Sequence, residues 1–186
     1  MKFSNRPNTS IITEDGQEHW VSRSVAVTVY VLLIHQDMPY ILVNKRGPGL
    51  PNKVGYWNLV CGYLDYDESI DEAAVREAWE ECGINVLKLM DFADAVYFDP
   101  PWDIRSKPGK SDKQNVSTHH GLVAQVSELP PVSDAFNEPG ETTDIRWLPL
   151  DQVHTLEFAF DHNISIEKFV HYIAQNTEHD FRHFFS

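Results

Sequence analysis

Cysteine is scarce: the 186 residues hold two, Cys61 and Cys82. Two cysteines set no disulfide framework, and a reduced compartment is the simplest reading. Long apolar runs are also missing. The longest, Val25 to Ile34, is about ten residues and is broken by Thr28, half of what a membrane span needs. The opening MKFSNRPNTS has no apolar h-region, so no secretory signal is expected. Positive charge is short as well: 15 Lys and Arg stand against 28 Asp and Glu, a formal charge of −13. Such a surface argues against a nucleic-acid coat or an anionic-membrane binder. It leaves anionic substrates open, because bound divalent cations reverse the sign locally. There is no internal repeat and no long low-complexity tract. A cytoplasmic protein with no nucleic-acid or membrane partner is the expectation.

What is present is an ordinary globular chain, 42% hydrophobic and long enough to bury a core without staples. Residues 1–22 read as a loosely attached N-terminal arm, and residues 23–186 as one domain. Val25–Ile34 reads as a central strand buried on both faces, with a turn at Asp37–Pro39 and an antiparallel partner over Tyr40–Arg46. Gly47–Asn52 is a loop and Trp57–Val60 a short strand. Ser69 with Glu72 is a capping-box pattern opening a helix that Gly83 stops. One or two strands are expected within Asn85–Phe98, then a long loop over Asp99–Asn115. Strands at Val116–Val126 and Thr143–Leu148 flank a second loop, and a helical turn covers Asp151–Leu156. The spacing predicts a terminal helix over Ile164–Asn176, with Ile164, Phe169, Val170 and Ile173 on its apolar side. The tail from Glu178 reads as a frayed end carrying His179 and His183. Strands around a central helix make an α/β sandwich on a mixed sheet.

One segment carries chemistry: Gly62 to Ile84, GYLDYDESIDEAAVREAWEECGI. Projected as a helix, Glu77, Glu80 and Glu81 share an arc of roughly 100°. Ala74, Val75, Ala78, Trp79 and Cys82 form a packing face. Carboxylates this close repel one another unless cations sit among them. Mg²⁺ and Mn²⁺ favour such oxygen ligands and keep waters for phosphate oxygens. On the cluster alone, a solvated acidic face is the commoner reading.

The full spacing is more specific. Gly62, five residues, Glu68, seven residues, then Arg76-Glu77-Ala78-Trp79-Glu80-Glu81-Cys82-Gly83-Ile84 resembles the box of the Nudix hydrolase family. That pattern is G, five of any, E, seven of any, R-E-U-x-E-E-x-G-U, with U a bulky aliphatic residue. All its fixed Gly, Glu and Arg positions match. Ile84 fits the last U, and Ala78 is a small version of the first. Chance agreement at so many positions is on the order of one in 10⁹ per start site. Ile41–Arg46 is similar to the strand before the box, Gly55–Leu59 to a G-x-W-x-L approach, and Thr143–Asp151 to a late strand and helix. Val60-Cys61 stand where many members have Pro-Gly.

The resemblance implies a Nudix-type α/β/α sandwich with a mixed central sheet. It implies an enzyme that cleaves the phosphoanhydride of a nucleoside diphosphate linked to another moiety, with water as nucleophile. ADP-ribose, nucleotide sugars and nucleoside triphosphates all fit. It implies Mg²⁺ or Mn²⁺ held by Glu80 and Glu81, with Glu77 as a ligand or the base, and the Cys61 backbone carbonyl as a further ligand. Arg76 would orient the glutamates and Glu68 would pair with Arg76. Glu138, Glu141, Glu128 and Asp144 are candidates for a base outside the box. Lys45 or Arg46 would contact phosphate, or stand as exposed strand-end charges. Tyr97 or Trp102 would stack on a base, or pack. His119 and His120, adjacent on a strand, point to opposite faces and cannot chelate one ion. The partner expected is a small-molecule substrate, and the resemblance is compatible with a homodimer. Two other readings share the fold: a catalytically silent nucleotide- or metabolite-sensing module, and an isopentenyl-diphosphate isomerase-like enzyme, for which Cys61 sits in the wrong context.

Overall fold

Burial on both faces fixes the central strand. In a computed structural model, which describes residues 9–21, 24–92, 94–106 and 116–185, β3 runs Val25–His35 and its residues 27–34 are buried. Residues 1–8 of the expected arm and 107–115 of the expected loop lie outside the described residues. The described part of the arm is a hairpin of β1 (Thr9–Ile12) and β2 (Glu18–Val21), a two-stranded sheet where none was expected.

On one side β3 pairs in parallel with β9 (Val116–Gln125) along its length. Its other edge is shared between two strands. Residues 26–29 pair with β6 (Val60–Tyr63), and residues 32–35 pair with β4 (Met38–Arg46), both antiparallel. The sheet therefore splits beside Tyr30 and Val31. The β3–β4 turn is Gln36-Asp37, both with positive φ (50° and 62°), the twist-matched two-residue hairpin. Met38 and Pro39 thus belong to the strand. The sheet is completed by β5 (Trp57–Asn58) and β10 (Thr142–Pro149) on β4, and by β7 (Val96–Tyr97) and β8 (Asp103–Ser106) on β9. The expected strand over Trp57–Val60 is broken because the Leu59 N–H turns to His162 Nδ1 at 3.0 Å. The expected loop from Asp99 contains β8.

A helix covers each face. α1 (Ile70–Cys82) opens on the Ser69–Glu72 capping box and closes on Gly83 in the left-handed region. Its Ala74, Ala78 and Cys82 pack on Val29, Val31, Val60 and Leu122. α2 (Val86–Met90) replaces part of the strand expected after the box, because Asn85 caps the Lys88 N–H. α3 (His162–Asn176) buries Ile166, Phe169, Val170 and Ile173 against Tyr30, Leu32, Ile41 and Val123. Ile164, expected on that apolar side, is 48% exposed. The tail is not frayed: Phe181 is buried, and Phe184 and Phe185 pack on the same cluster. No helix of the described residues is long and apolar enough to cross a membrane. The architecture is the expected α/β/α sandwich on a mixed sheet.

Gly121 of β9 is where α3 comes closest. A Cβ there would lie 2.4 Å from Phe169 Cε2 and 2.9 Å from Phe98 Cδ2. Gly121→Ala is expected to destabilise the fold by about 1–3 kcal/mol, the usual range for overpacking. Urea unfolding checks this, and an unchanged midpoint would contradict the close packing.

Candidate active site

Arg76 sits at the centre of the box. Its Nε and one terminal nitrogen clamp Glu68, at 2.9 and 2.7 Å. The other terminal nitrogen donates to Glu77 at 2.8 Å and Glu80 at 2.9 Å. The last hydrogen goes to the Tyr63 carbonyl at 3.0 Å. All five guanidinium N–H groups are thereby engaged. Glu68 also accepts the Asp65 N–H, and the Arg76 hydrogen bonds hold its carboxyl below the usual range.

Glu77 and Glu81 are the buried members. Glu77 lies on β6 over Gly62, where a Cβ would stand 2.0 Å from its Oε1. No other residue leaves that space. Burial pushes the Glu77 carboxyl up to about 7; Arg76 opposes this, while Glu80 and Glu141 add to it. Glu81 accepts from Asn44 Nδ2 at 2.9 Å and from the Cys61 N–H at 3.2 Å. Burial, then the charge of Glu77, drive its carboxyl well above the ordinary value. Glu80 is the exposed member, its side chain 47% accessible.

Cys61 contributes backbone. A residue in an extended strand points its N–H and C=O to the same edge, so its carbonyl faces the edge that its N–H presents to Glu81. Its thiol is held protonated by burial and by Glu81.

Of the outer carboxylates, Glu141 is brought to the box. Gly47 N–H donates to the Glu141 carbonyl at 2.6 Å, and Gly49 N–H to that of Gly140 at 2.8 Å. A Cβ on Gly47 would lie 2.2 Å from the Gly140 oxygen, so glycine alone permits this clasp. Glu141 raises the carboxyls of Glu77 and Glu81 and is itself raised, first by burial, then by Glu138. Asp144 is instead paired with Arg146, and Glu128 is exposed after β9.

The remaining candidates divide. Arg46 is close enough to act on the charges of Cys61 and Glu141, and is braced by Asn52 at 3.1 and 3.2 Å. Lys45 lies over Trp57, 5.9 Å from the ring centre. The Tyr97 hydroxyl donates to Asp71 at 2.8 Å and lies 3.2 Å from His120 Nδ1, bracing the first turn of α1. Trp102 packs among Tyr30, Phe169 and Tyr172 beneath α3. The sheet thus separates the two aromatics. His119 and His120 do face opposite ways, to Tyr30 and to Asp71. Asn44 and the Gly47–Gly49–Gly140 clasp were not singled out from sequence. Asn44 carried no charge to mark it, and the clasp joins segments some 90 residues apart.

The donor set of Glu77, Glu80, Glu81 and the Cys61 carbonyl is all oxygen, the preference of a hard divalent cation. Among the described residues no three His, Cys, Asp or Glu already converge as a metal cage. Glu77 and Glu80 are turned onto Arg76, while Glu81 has amide donors and no cation.

The NUDIX domain pattern matches residues 23–171. A NAD-capped RNA hydrolase of Schizosaccharomyces pombe is 34% identical over 74 residues, 40% of this chain and 18% of that protein. A MutT-like protein of Streptomyces ambofaciens is 26% identical over 128 residues, 69% of this chain and 66% of that protein. The chain thus spans less than two thirds of either relative. Among solved structures, the NUDIX domain of Shewanella oneidensis NrtR complexed with ADP ribose superposes with a TM-score of 0.62 at 18% identity, covering 82% of this chain and 90% of that one. At that identity the likeness speaks for the fold alone. The family match covers β3 to β10, the box helix and most of α3, and on that extent the chain belongs to the Nudix family.

Proposed function

We propose that this protein is a divalent-metal-dependent pyrophosphohydrolase. It cleaves the phosphoanhydride of a nucleoside diphosphate linked to another moiety. One observation carries the reading: Glu81 is driven inward among other carboxylates with no cation of its own, although Arg76 is one turn away. A buried carboxylate in that state is costly, and a divalent ion offsets the cost.

Glu77, Glu80, Glu81 and the Cys61 carbonyl would hold Mg²⁺ or Mn²⁺. Bound there, the ion would neutralise diphosphate charge and lower the pKa of a coordinated water. The chain's own residues do the rest. Glu68 clamps Arg76, and Arg76 fixes the carboxylates of Glu77 and Glu80 from one side. Arg46 reaches the substrate phosphate. Glu141 takes a proton from the attacking water as its oxygen bonds to phosphorus and the P–O bond of the anhydride breaks; Glu77 is the other base candidate. The leaving phosphate carries away its moiety. The ADP ribose in the NrtR complex supports a substrate of this class. A silent sensing module would have no need of every box glutamate, and all are present. An isomerase-like reading needs a cysteine acid, and the Cys61 thiol is instead met by Asn58 Nδ2 at 3.6 Å and held protonated by burial.

Two outcomes are expected. With Mg²⁺, one member of a panel of ADP-ribose, nucleotide sugars and nucleoside triphosphates is cleaved at the anhydride, and EDTA abolishes this. Glu81→Gln slows the cleavage by roughly 10²–10³-fold, the scale for removing one electrostatic contact to the transition state. Chromatography of the products reads both, and near-normal turnover in a folded variant would remove Glu81 from the site. Without metal and at neutral pH, the same variant should melt higher than the parent, because burial raises the Glu81 carboxyl and the parent loses stability as pH rises above the unfolded value. With Mg²⁺ the order reverses, since only the parent gains from the ion. Thermal melts with and without Mg²⁺ check this; a lower metal-free melting temperature in Glu81→Gln would contradict it.

A further inference from the structure

Two buried side chains beside Glu81 each have an oxygen that the chain leaves unpaired. Asn44 and Asn58 are 3% and 1% exposed, and neither Oδ1 has a hydrogen-bond partner among the described residues. A buried acceptor without a donor costs free energy, and native proteins rarely leave one without a reason. A third such oxygen, on Asn137, lies in the loop after β9, away from this strand pair.

The two are placed together. Asn44 of β4 and Asn58 of β5 are opposed in register. Opposed residues of an antiparallel pair share a face, so the carboxamides are neighbours. That face is the one α1 covers. Leu42, two residues before Asn44, packs in the α1 cluster, and Asn44 Nδ2 reaches Glu81 Oε2 at 2.9 Å. The Cys61 N–H bonds the same Glu81 oxygen at 3.2 Å, and Asn58 Nδ2 lies 3.6 Å from Cys61 Sγ. Each carboxamide therefore touches a residue of the proposed metal seat.

The chemistry of their partners decides which atom is left over. Asn58 Nδ2 donates to the Leu59 carbonyl at 2.7 Å. A carbonyl only accepts, so the Asn58 oxygen is the free atom. Glu81 as a metal ligand is ionised and only accepts, so Asn44 keeps its nitrogen towards it and its oxygen free. What the pair lacks is donors. Water on a divalent ion has its lone pair turned to the ion and its hydrogens turned outward, and Mg²⁺ keeps several such waters.

We propose that Asn44 and Asn58 accept hydrogen bonds, through their Oδ1 atoms, from water carried by the divalent ion at Glu81. This rests on the metal-dependent reading of that carboxylate. The two are positioning residues: they hold the hydration shell of the ion. Neutral acceptors suit the place, because further carboxylates would repel Glu77, Glu80 and Glu81. Partners outside the direct ligands orient a metal site and strengthen its hold on the ion.

Mn²⁺ is titrated into the full chain and the free ion is read by electron paramagnetic resonance. Asn58→Leu removes the acceptor from a side chain whose nitrogen does not touch Glu81. It should weaken Mn²⁺ binding by about 10–100-fold, the usual scale for such partners. Asn58→Asp also lacks the donor to Leu59 but keeps an acceptor oxygen, and it should bind Mn²⁺ at least as tightly as the parent. Parent-like affinity in a folded Asn58→Leu, or equal weakening in Asn58→Asp, would overturn the inference. A crystal of the unmodified chain with Mn²⁺ decides even if a variant does not fold. Water bonded to the ion should lie about 2.7–2.8 Å from each Oδ1. A bound Mn²⁺ whose waters meet neither oxygen, with an ordinary structural water there instead, would overturn it. Mn²⁺ binding and cleavage that ignore Asn58 would fell this inference alone; a parent that binds no Mn²⁺ would fell the metal-dependent reading as well.

Discussion

The guanidinium of Arg76 holds the working end of this molecule together. Without it, Glu68 of the preceding loop and Glu77 and Glu80 of α1 would repel one another. With it, five N–H groups fix three carboxylates and the Tyr63 carbonyl around one planar cation. That arrangement ties the loop before α1 to the helix, and the helix to β6. It also leaves Glu81 out. Glu81 points the other way, to Asn44 and the Cys61 N–H, and burial without a partner cation among the described residues disfavours its charged form. The site is thus divided into a part neutralised by the chain and a part where we propose that a metal ion sits.

The split in the sheet makes this division possible. Because β3 gives half its edge to β6 and half to β4, Asn44 and Cys61 flank a gap in the hydrogen-bond ladder. Glu81 enters that gap from the α1 side. Glycine permits the rest. Gly62 lets Glu77 lie flat on β6, and Gly47 lets the loop after β4 touch residues 140–141 and carry Glu141 in.

Local signals in the sequence were enough for much of this. β3 was legible from its β-branched run, and α1 from its Ser69–Glu72 box and Gly83, because each depends on neighbours a few residues away. The packing of Glu77, Glu80 and Glu81 at one helical face followed from the 3.6-residue period. What was missed depends on contacts distant in sequence. α2 hangs on one Asn85 cap in a stretch that otherwise alternates like a strand. Ile166 takes the place expected of Ile164 because it lies three residues before Phe169 and seven before Ile173, whereas Ile164 falls about 140° round the helix from Phe169. The tail aromatics Phe181, Phe184 and Phe185 fold back onto a cluster assembled from β3 and α3. Among the four outer acids, only the glycine clasp distinguishes Glu141, and its halves are some 90 residues apart. Trp102 and Tyr97 were alike as aromatics a short distance after the box, yet the sheet lies between them.

We propose that Glu81 and its neighbours form the seat of a divalent cation. The most direct measurement is an anomalous-difference map from a crystal grown with Mn²⁺. One or more peaks are expected within about 2.5 Å of a Glu81 oxygen and of at least one of Glu77 and Glu80, with the Cys61 carbonyl at the same site. Ordered protein with Mn²⁺ bound elsewhere, or with Glu81 still facing only Asn44 and the Cys61 N–H at saturating Mn²⁺, would contradict it.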